Sequence, residues 1–290
     1  MLARGVEKGV DEFETAAEPV MSEQALLEVR NLVLQYKTWE HLVTATWNVN
    51  FDVQRGDRFV LLGPSGCGKS TILSLIAGLT LPDEGEVFVC GDRVSGPHRH
   101  SATVPQAYTC FPWLSALKNV EFGLRLQGIP ETERRQIASD YLNKVDLAAF
   151  TNAHPDELSG GMKQRVAIAR TLAMKRPIVL MDEPFGALDA QTRTDMQQML
   201  IQLWEAEKNT IVFVTHDITE ALLLADRIVV LSPRPASIIH DMQVSFSAFP
   251  LKRPPEIVYE PEFVKYAKKL RGYLQRGRKV AEPLPSVERR

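Results

Sequence analysis

One stretch decides the fold of this 290-residue chain: Arg58-Phe-Val-Leu-Leu-Gly-Pro-Ser-Gly-Cys-Gly-Lys-Ser-Thr71. It begins with an apolar run, passes through three glycines and a lysine, and continues into the apolar segment 72–77. Glycine lets backbone N–H groups close around phosphate oxygens, and the positive end of the following helix dipole adds to the attraction. The stretch therefore predicts a strand, a phosphate-binding loop and a helix, and with them a site for a nucleoside triphosphate.

The predicted nucleotide-binding residues of this loop are Gly63, Pro64, Ser65, Gly66, Cys67, Gly68, Lys69, Ser70 and Thr71. We expect Lys69 to reach the β and γ phosphates of ATP, and Ser70 to ligate the Mg2+ that accompanies the triphosphate. Cys67 lies two residues before Lys69, at the start of the predicted helix. Because a helix dipole and a neighbouring ammonium group both stabilise a thiolate, we expect Cys67 to be a reactive thiol.

Composition and charge are those of an ordinary globular protein. Hydrophobic residues make up 44% and charged residues 24% of the sequence, and the net charge is −2. A chain without a basic surplus is not expected to bind nucleic acid. The three cysteines form no CxxC pair and indicate neither a disulfide framework nor a zinc site. No run approaches the roughly 18 consecutive apolar residues of a membrane span, so a partner would have to supply any membrane role.

Two kinds of apolar pattern predict two groups of strands. The first group has Val, Phe and Leu between turn residues and indicates an antiparallel sheet. These segments lie at 27–36, 46–53 and 86–90. The second group consists of short apolar runs separated by segments of helical length, which is typical of a parallel sheet with crossover helices. These runs lie at 58–62, 178–181, 210–215 and 227–231.

The remaining segments predict the organisation of the chain around that sheet. Residues 1–24, rich in Glu and Ala, are expected to form a mobile extension, with a short docking arm as the alternative, and 25–245 the main domain. Helical periodicity without strands predicts an inserted helical subdomain at about 107–160. The tail 246–290 contains a predicted helix at 263–274 with one apolar and one basic face. We interpret this helix as docked on its own domain, with a membrane-surface contact as the alternative.

Two adjacent carboxylates, Asp182 and Glu183, directly follow the apolar run at 178–181. Ligands of open α/β sheets bind at the carboxyl ends of the strands, where this pair is expected to lie. Asp182 is a candidate to hold Mg2+, usually through water, and Glu183 to accept a proton from the attacking water. The alternative is a pair of carboxylates that merely caps a turn before Pro184.

A second glycine-containing turn precedes another predicted helix. Ser159 is a suitable N-cap, and the N–H groups of Gly160 and Gly161 are open to a phosphate, but no lysine, metal ligand or base accompanies them. One ATP has a single γ-phosphate, so two phosphate-receiving helix ends in one chain predict a head-to-tail homodimer. Each protomer would then cover the nucleotide of the other.

Taken together, these motifs resemble the ATPase subunits of ATP-binding cassette (ABC) transporters over about residues 26–240. The resemblance is carried by GPSGCGKS at 63–70, LSGGMKQR at 158–165, IVLMDEP at 178–184, Ala187-Leu-Asp189 and Val214-Thr-His-Asp217. It implies an α/β fold of the P-loop NTPase class, with a mostly parallel core sheet, an antiparallel β subdomain and an inserted helical subdomain. It also implies hydrolysis of ATP with Mg2+.

The same resemblance implies roles that periodicity could not supply. Gln106 would lie near the magnesium ion and the attacking water, and His216 would contact the γ-phosphate and hold Glu183. Asp189 would lie in a loop that crosses the dimer interface. Tyr36 would stack on adenine, with Trp39 as the substitute, although a buried strand-end tyrosine remains the alternative for Tyr36.

Three segments resemble the importers of nitrate, sulfonate, taurine and related small anions: Phe111-Pro-Trp-Leu114, 119–124 and Ser232-Pro-Arg-Pro235. In the family the helical insert contacts the membrane partner, so Trp113 is a candidate to line a groove for a partner helix. Burial of Trp113 in the core is the alternative. The sequence departs from the family pattern at Pro105 and Lys163, and neither change removes a catalytic group.

The resemblance implies a homodimer under two transmembrane permease subunits, on the cytoplasmic face of the inner membrane. An extracytoplasmic binding protein would deliver the solute. The alternatives are the ATPase of an exporter, or a non-transport ABC ATPase of DNA repair or translation. The missing basic surplus argues against the second alternative.

Overall fold

The computed structural model describes residues 25–37, 42–107, 109–247 and 253–280, the last range with side chains up to 277. The predicted extension at 1–24 and the substitute adenine contact Trp39 lie outside the described residues.

Within those ranges, ten strands form two sheets. The strands are β1 Ala25–Lys37, β2 Leu42–Gln54, β3 Arg58–Leu62, β4 Glu84–Val89, β5 Asp92–Arg93, β6 Ser101–Val104, β7 Ile178–Asp182, β8 Thr210–Thr215, β9 Arg227–Leu231 and β10 Ile238–Gln243. The helices are α1 Lys69–Ile76, α2 Ala116–Leu126, α3 Glu131–Lys144, α4 Gly160–Ala173, α5 Ala190–Glu207, α6 Ile218–Leu224 and α7 Pro261–Val280. Short 3-10 turns lie at Ala148–Phe150, Pro155–Glu157 and Pro255–Tyr259.

The core sheet has the strand order β10-β9-β3-β8-β7-β6 and is parallel except for β10, which pairs antiparallel with β9. The second sheet has the order β2-β1-β4-β5 and is antiparallel. The four predicted parallel strands and the three predicted antiparallel strands are confirmed. Three strands were not predicted: β5, which has two residues, β6, which has four, and β10, in which apolar and polar residues are mixed and none is buried.

Alternate residues of β3 face two separate hydrophobic clusters because successive side chains of a strand point to opposite faces. Val60 and Leu62 pack against residues of the helices α2 to α6. Phe59 and Leu61 pack against α1 and the antiparallel sheet. β3 is fully buried between these layers, and its carboxyl end leads directly into the phosphate loop, residues 63–70.

The predicted helices in the inserted segment and in the tail are present. α2 and α3 pack on each other and on α4. α7 buries Phe263 and Leu270 in the main hydrophobic core, with Tyr266 and Ala267 packed beside them. The prediction that this helix docks on its own domain is therefore confirmed, and the helix is longer than the predicted segment. None of the helices in the described ranges has the length and apolar character needed to cross a membrane.

Candidate functional site

The phosphate loop connects the carboxyl end of β3 to α1, which begins at Lys69. Gly68 precedes the helix with a φ of 123°, in a region that side chains disfavour. A Cβ atom on Gly68 would lie 2.7 Å from the carbonyl oxygen of Ala45. Only glycine therefore permits this close approach between the loop and β2.

Lys69 is almost fully buried, and its ammonium group lies among three oxygen atoms. Its Nζ donates to the carbonyl oxygens of Gly63 and Pro64, both at 3.0 Å. The same nitrogen lies 3.2 Å from Oε1 of Glu183, with which it forms an ion pair. The fold thus brings a cation from the first βα junction to the carboxylate that follows β7.

Ser70 and Asp182 meet across 112 residues of sequence, with Ser70 Oγ donating to Asp182 Oδ1 at 2.9 Å. Burial raises the pKa of Asp182, and the hydrogen bond from Ser70 partly offsets that effect. A hydroxyl and a carboxylate side by side form the hard oxygen donor set that Mg2+ prefers. The two residues therefore fit a magnesium ion at the position where the sequence predicted one.

Glu183 lies between Lys69 and His216. His216 Nδ1 is 3.0 Å from Oε2 of Glu183. The Glu183 backbone has a φ of 41°, uncommon for a residue other than glycine, and its N–H donates to the carbonyl of Val214 at 3.1 Å. These contacts explain the position of the Glu183 carboxylate, beside the ammonium group of Lys69 and the ring of His216.

The expectation of a reactive thiolate at Cys67 is wrong. Cys67 is only 1% exposed and belongs to the hydrophobic cluster under the antiparallel sheet. Burial raises the pKa of Cys67 and outweighs the opposing effect of Lys69. The prediction considered the sequence neighbours of the thiol, whereas desolvation by the packed layers decides its protonation.

Tyr36 lies near the end of β1, and Gln106 lies just after β6. Tyr36 is 45% exposed at the end of β1, and its hydroxyl lies 3.4 Å from that of Thr71. It is therefore not a buried core residue, and its ring is accessible beside the phosphate loop. Gln106 is exposed just after β6. Val104, the last residue of β6, pairs with Met181 in parallel register, so β6 ends beside the end of β7 and Gln106 follows two residues later.

The serine–glycine turn, residues 159–161, forms the start of α4. Ser159 is the N-cap and its hydroxyl accepts from the N–H of Met162 at 3.3 Å. A Cβ on Gly161 would lie 2.7 Å from a methyl group of Thr192. Asp189 caps α5 and accepts from the N–H and the hydroxyl of the same Thr192, hydrogen bonds that lower the pKa of Asp189.

Among the described residues, the serine–glycine turn thus lies beside the start of α5 and has no hydrogen bond to the phosphate loop. The structure assembles two separate groups of predicted site residues. One group consists of the phosphate loop with Asp182, Glu183 and His216. The other consists of the serine–glycine turn with Asp189.

The loop at 111–115 is held in place by the buried side-chain amide of Asn119. Asn119 is fully buried on α2 and accepts from the N–H of Phe111 at 2.7 Å. Its amide nitrogen donates to the carbonyl oxygens of Phe111, Leu114 and Ser115. Trp113 is 71% exposed, so the alternative of a buried core tryptophan is excluded.

Asn119 and Arg234 lie in segments that resemble the importers of small anions, and the sequence did not predict what their side chains contact. Asn119 organises the loop above α2, as described. Arg234, in the turn after β9, donates to the carbonyl of Gly66 in the phosphate loop. Arg234 and Gly66 are 168 positions apart, so no local signal in the sequence could have revealed their contact.

Comparison with known proteins gives the family. Residues 46–186 match the family model described as ABC transporter. The chain is 47% identical over 249 residues to an uncharacterized ABC transporter ATP-binding protein of Methanocaldococcus jannaschii, covering 86% of this chain and 91% of that protein. The chain belongs to the ABC transporter ATP-binding family, and the resemblance inferred from the motifs is confirmed.

Relatives with named substrates are also close. The nitrate import ATP-binding protein NrtD of Synechocystis sp. is 45% identical over 259 residues, covering 88% of this chain and 97% of that protein. The taurine import ATP-binding protein TauB of Chromobacterium violaceum is 50% identical over 199 residues, covering 69% of this chain and 76% of that protein.

A solved structure has the same fold. It is a dimeric ATP-binding cassette in a post-hydrolysis state bound to ADP and Pi, with a TM-score of 0.67 and 34% sequence identity. The match covers 76% of this chain and 99% of that one. The predicted α/β class with its parallel core sheet, antiparallel sheet and helical segments is therefore confirmed.

Proposed function

We propose that the chain is the ATP-hydrolysing subunit of an ABC importer for a small anionic solute. It would act as a homodimer beneath two transmembrane permease subunits, on the cytoplasmic face of the inner membrane, with an extracytoplasmic binding protein delivering the solute. The observation that carries the ATPase part is the cluster of Lys69, Ser70, Asp182, Glu183 and His216 at one edge of the core sheet. The import part is supported by the nitrate and taurine import relatives.

Binding of ATP would use the phosphate loop and its lysine. Backbone N–H groups at the start of α1 would receive the β-phosphate, and Lys69 would turn from its ion pair with Glu183 toward the β and γ phosphates. That movement would release the Glu183 carboxylate. The exposed ring of Tyr36, beside Thr71, would stack on the adenine.

Ser70, Asp182 and Gln106 would hold Mg2+, Asp182 usually through water. When bound, the ion would neutralise charge on the phosphate oxygens. The hydrogen bond between the Ser70 hydroxyl and the Asp182 carboxylate supports this assignment.

Hydrolysis would depend on Glu183 as the general base. Its carboxylate would accept a proton from the water that attacks the γ-phosphate, while His216 holds that carboxylate and contacts the γ-phosphate. A positioned base of this kind contributes about 10² to 10⁴ in rate. The 3.0 Å contact between His216 Nδ1 and Glu183 Oε2 supports this assignment.

The second group of site residues supports a head-to-tail homodimer. The serine–glycine turn presents a helix N-terminus next to Asp189, apart from the phosphate loop of its own chain. In the dimer, this turn of one protomer would face the phosphate loop of its partner across one ATP. The matched solved structure is dimeric. ATP would thus close the pair, because only a triphosphate can bridge both elements.

The loop at 111–115 is our candidate for the surface that meets the permease. Trp113 is largely exposed and its ring lies 5.6 Å from that of Phe111, which in turn packs on Phe122. Exposed aromatic side chains on a loop that hydrogen bonds hold in place are typical of the anchor residues of protein interfaces.

The proposal is tested by uptake in the source organism. A strain lacking this chain would be complemented with the wild-type gene or with Glu183→Gln, and uptake of labelled nitrate, taurine and other small sulfonates would be measured. We expect one solute to be taken up with the wild-type gene and not with the variant. Export of a compound, or nucleic-acid-stimulated hydrolysis with unchanged uptake, would contradict the importer function.

A further inference from the structure

The turn between β9 and β10, residues 232–237, is a rigid element. Ser232 N–H donates to the carbonyl of Ser237 at 2.9 Å, and the Ser232 hydroxyl donates to the carbonyl of Pro235 at 2.7 Å. The N–H of Ser237 donates back to the Ser232 hydroxyl at 2.9 Å. With its polar groups paired internally, the turn can hold a side chain in a defined direction.

This 232–237 turn lies directly against the phosphate loop. Ala236 exchanges backbone hydrogen bonds with β2, donating to Ala45 and accepting from Trp47, both at 2.9 Å. The same Ala236 presses on the loop, because a Cβ added to Gly68 would lie 3.2 Å from its methyl carbon. The turn and β2 together therefore form the wall behind the loop.

Arg234 extends from this wall to the middle of the loop. Its Nε and Nη2 donate to the carbonyl oxygen of Gly66 at 3.2 Å and 3.0 Å. Gly66 has a φ of 73°, a conformation that glycine adopts without holding it strongly. Since a peptide group is planar, fixing the Gly66 oxygen fixes the orientation of the whole 66–67 peptide unit.

We propose that Arg234 is a positioning residue for nucleotide binding, which holds the 66–67 peptide of the phosphate loop in the orientation that receives the β-phosphate. The role rests on the proposed nucleotide site and adds to it a residue outside the motifs. It predicts a contribution to the binding of ADP and ATP alike, because the loop surrounds the phosphate that both nucleotides share.

The test is a calorimetric titration of the full chain with ADP and with a non-hydrolysable ATP analogue. The variants are Arg234→Ala and Arg234→Lys. Arg135→Ala, on the exposed surface of α3, is the control that removes the same charge elsewhere. We expect Arg234→Ala to weaken both nucleotides by about three- to tenfold, since the lost hydrogen bonds are charge-assisted but exposed to solvent. Arg234→Lys keeps the charge but not the bidentate hydrogen-bond donor, so this variant should restore nucleotide affinity only in part.

Steady-state hydrolysis and thermal melting separate positioning from general damage. Arg234→Ala should raise the KM for ATP and leave kcat and the melting temperature without nucleotide close to those of Arg135→Ala. Unchanged affinity in Arg234→Ala, full recovery in Arg234→Lys, weakening of the ATP analogue alone, or a fall in kcat together with the melting temperature would each overturn the role. If the wild-type chain bound neither nucleotide, the proposed function itself would fail first.

Discussion

Replacing Glu183 with glutamine should separate the chemistry of this site from its binding. Glutamine has the shape of the glutamate, but it cannot accept the proton of the attacking water and it carries no charge. Loss of a positioned base removes about 10² to 10⁴ of rate, which corresponds to about 3 to 5 kcal/mol of barrier. In the structure the same change also removes the 3.2 Å ion pair with Lys69. The lysine then keeps only its hydrogen bonds to the carbonyl oxygens of Gly63 and Pro64 and no longer has a carboxylate that competes with the phosphates, so nucleotide affinity should be preserved or increased.

The measurement is phosphate release at saturating ATP and Mg2+ by purified wild type, Glu183→Gln and Glu133→Gln. The last variant makes the same chemical change on the exposed surface of α3 and should behave as wild type. ATP should also drive Glu183→Gln into a stable dimer, detected by size-exclusion chromatography with light scattering. A Glu183→Gln protein that kept more than about a tenth of the wild-type kcat would refute the assignment of the base. If it bound ATP and remained a monomer in solution, the proposed shared site would lose its support.

Three further outcomes are expected from the packing. Because Cys67 is buried and its thiol pKa is raised, native alkylation at pH 8 followed by mass spectrometry should label the exposed Cys90 first; faster labelling of Cys67 would contradict its burial. Asn119→Ala should speed hydrogen exchange at the Phe111 amide while hydrolysis by the isolated chain is unchanged, and equal exchange rates would show that the amide does not hold the loop. Arg253 donates to the buried carbonyls of Leu222, Ala225 and Val244, so Arg253→Met should lower the free energy of unfolding by about 3 kcal/mol in urea titrations, and a loss below about 1 kcal/mol would mean that water replaces these bonds.

Most strands could be predicted because their signals are local. The apolar runs at β3, β8 and β9 have the boundaries that the structure shows. β6 was not predicted because its four residues are too few to show a periodic pattern. Its parallel pairing with β7 makes it a strand. Helix α7 extends past its predicted end at 274, and there Gly277 lies so close to Ile239 of β10 that an added Cβ would be 2.3 Å from its side chain.

The site residues divide in the same way. Each member of the phosphate loop could be named from the sequence, because the loop is contiguous and its glycines have a direct steric reason. The protonation of Cys67 was predicted wrongly, because sequence neighbours suggest a stabilised thiolate whereas two packed layers remove the water around it. The sequence left open whether Trp113 is exposed or buried. In the structure the buried Asn119 holds the loop that carries Trp113, and the tryptophan side chain is exposed.

The sequence by itself determined that a phosphate loop follows a buried strand, that carboxylates end another strand, and that the chain belongs among the ABC ATPases. Only the tertiary structure decided which of these groups meet: Lys69 with Glu183, Ser70 with Asp182, and Arg234 with Gly66. Local signals arise from steric and apolar preferences of adjacent residues. Contacts between residues more than a hundred positions apart depend on strand order and register, which no single segment specifies.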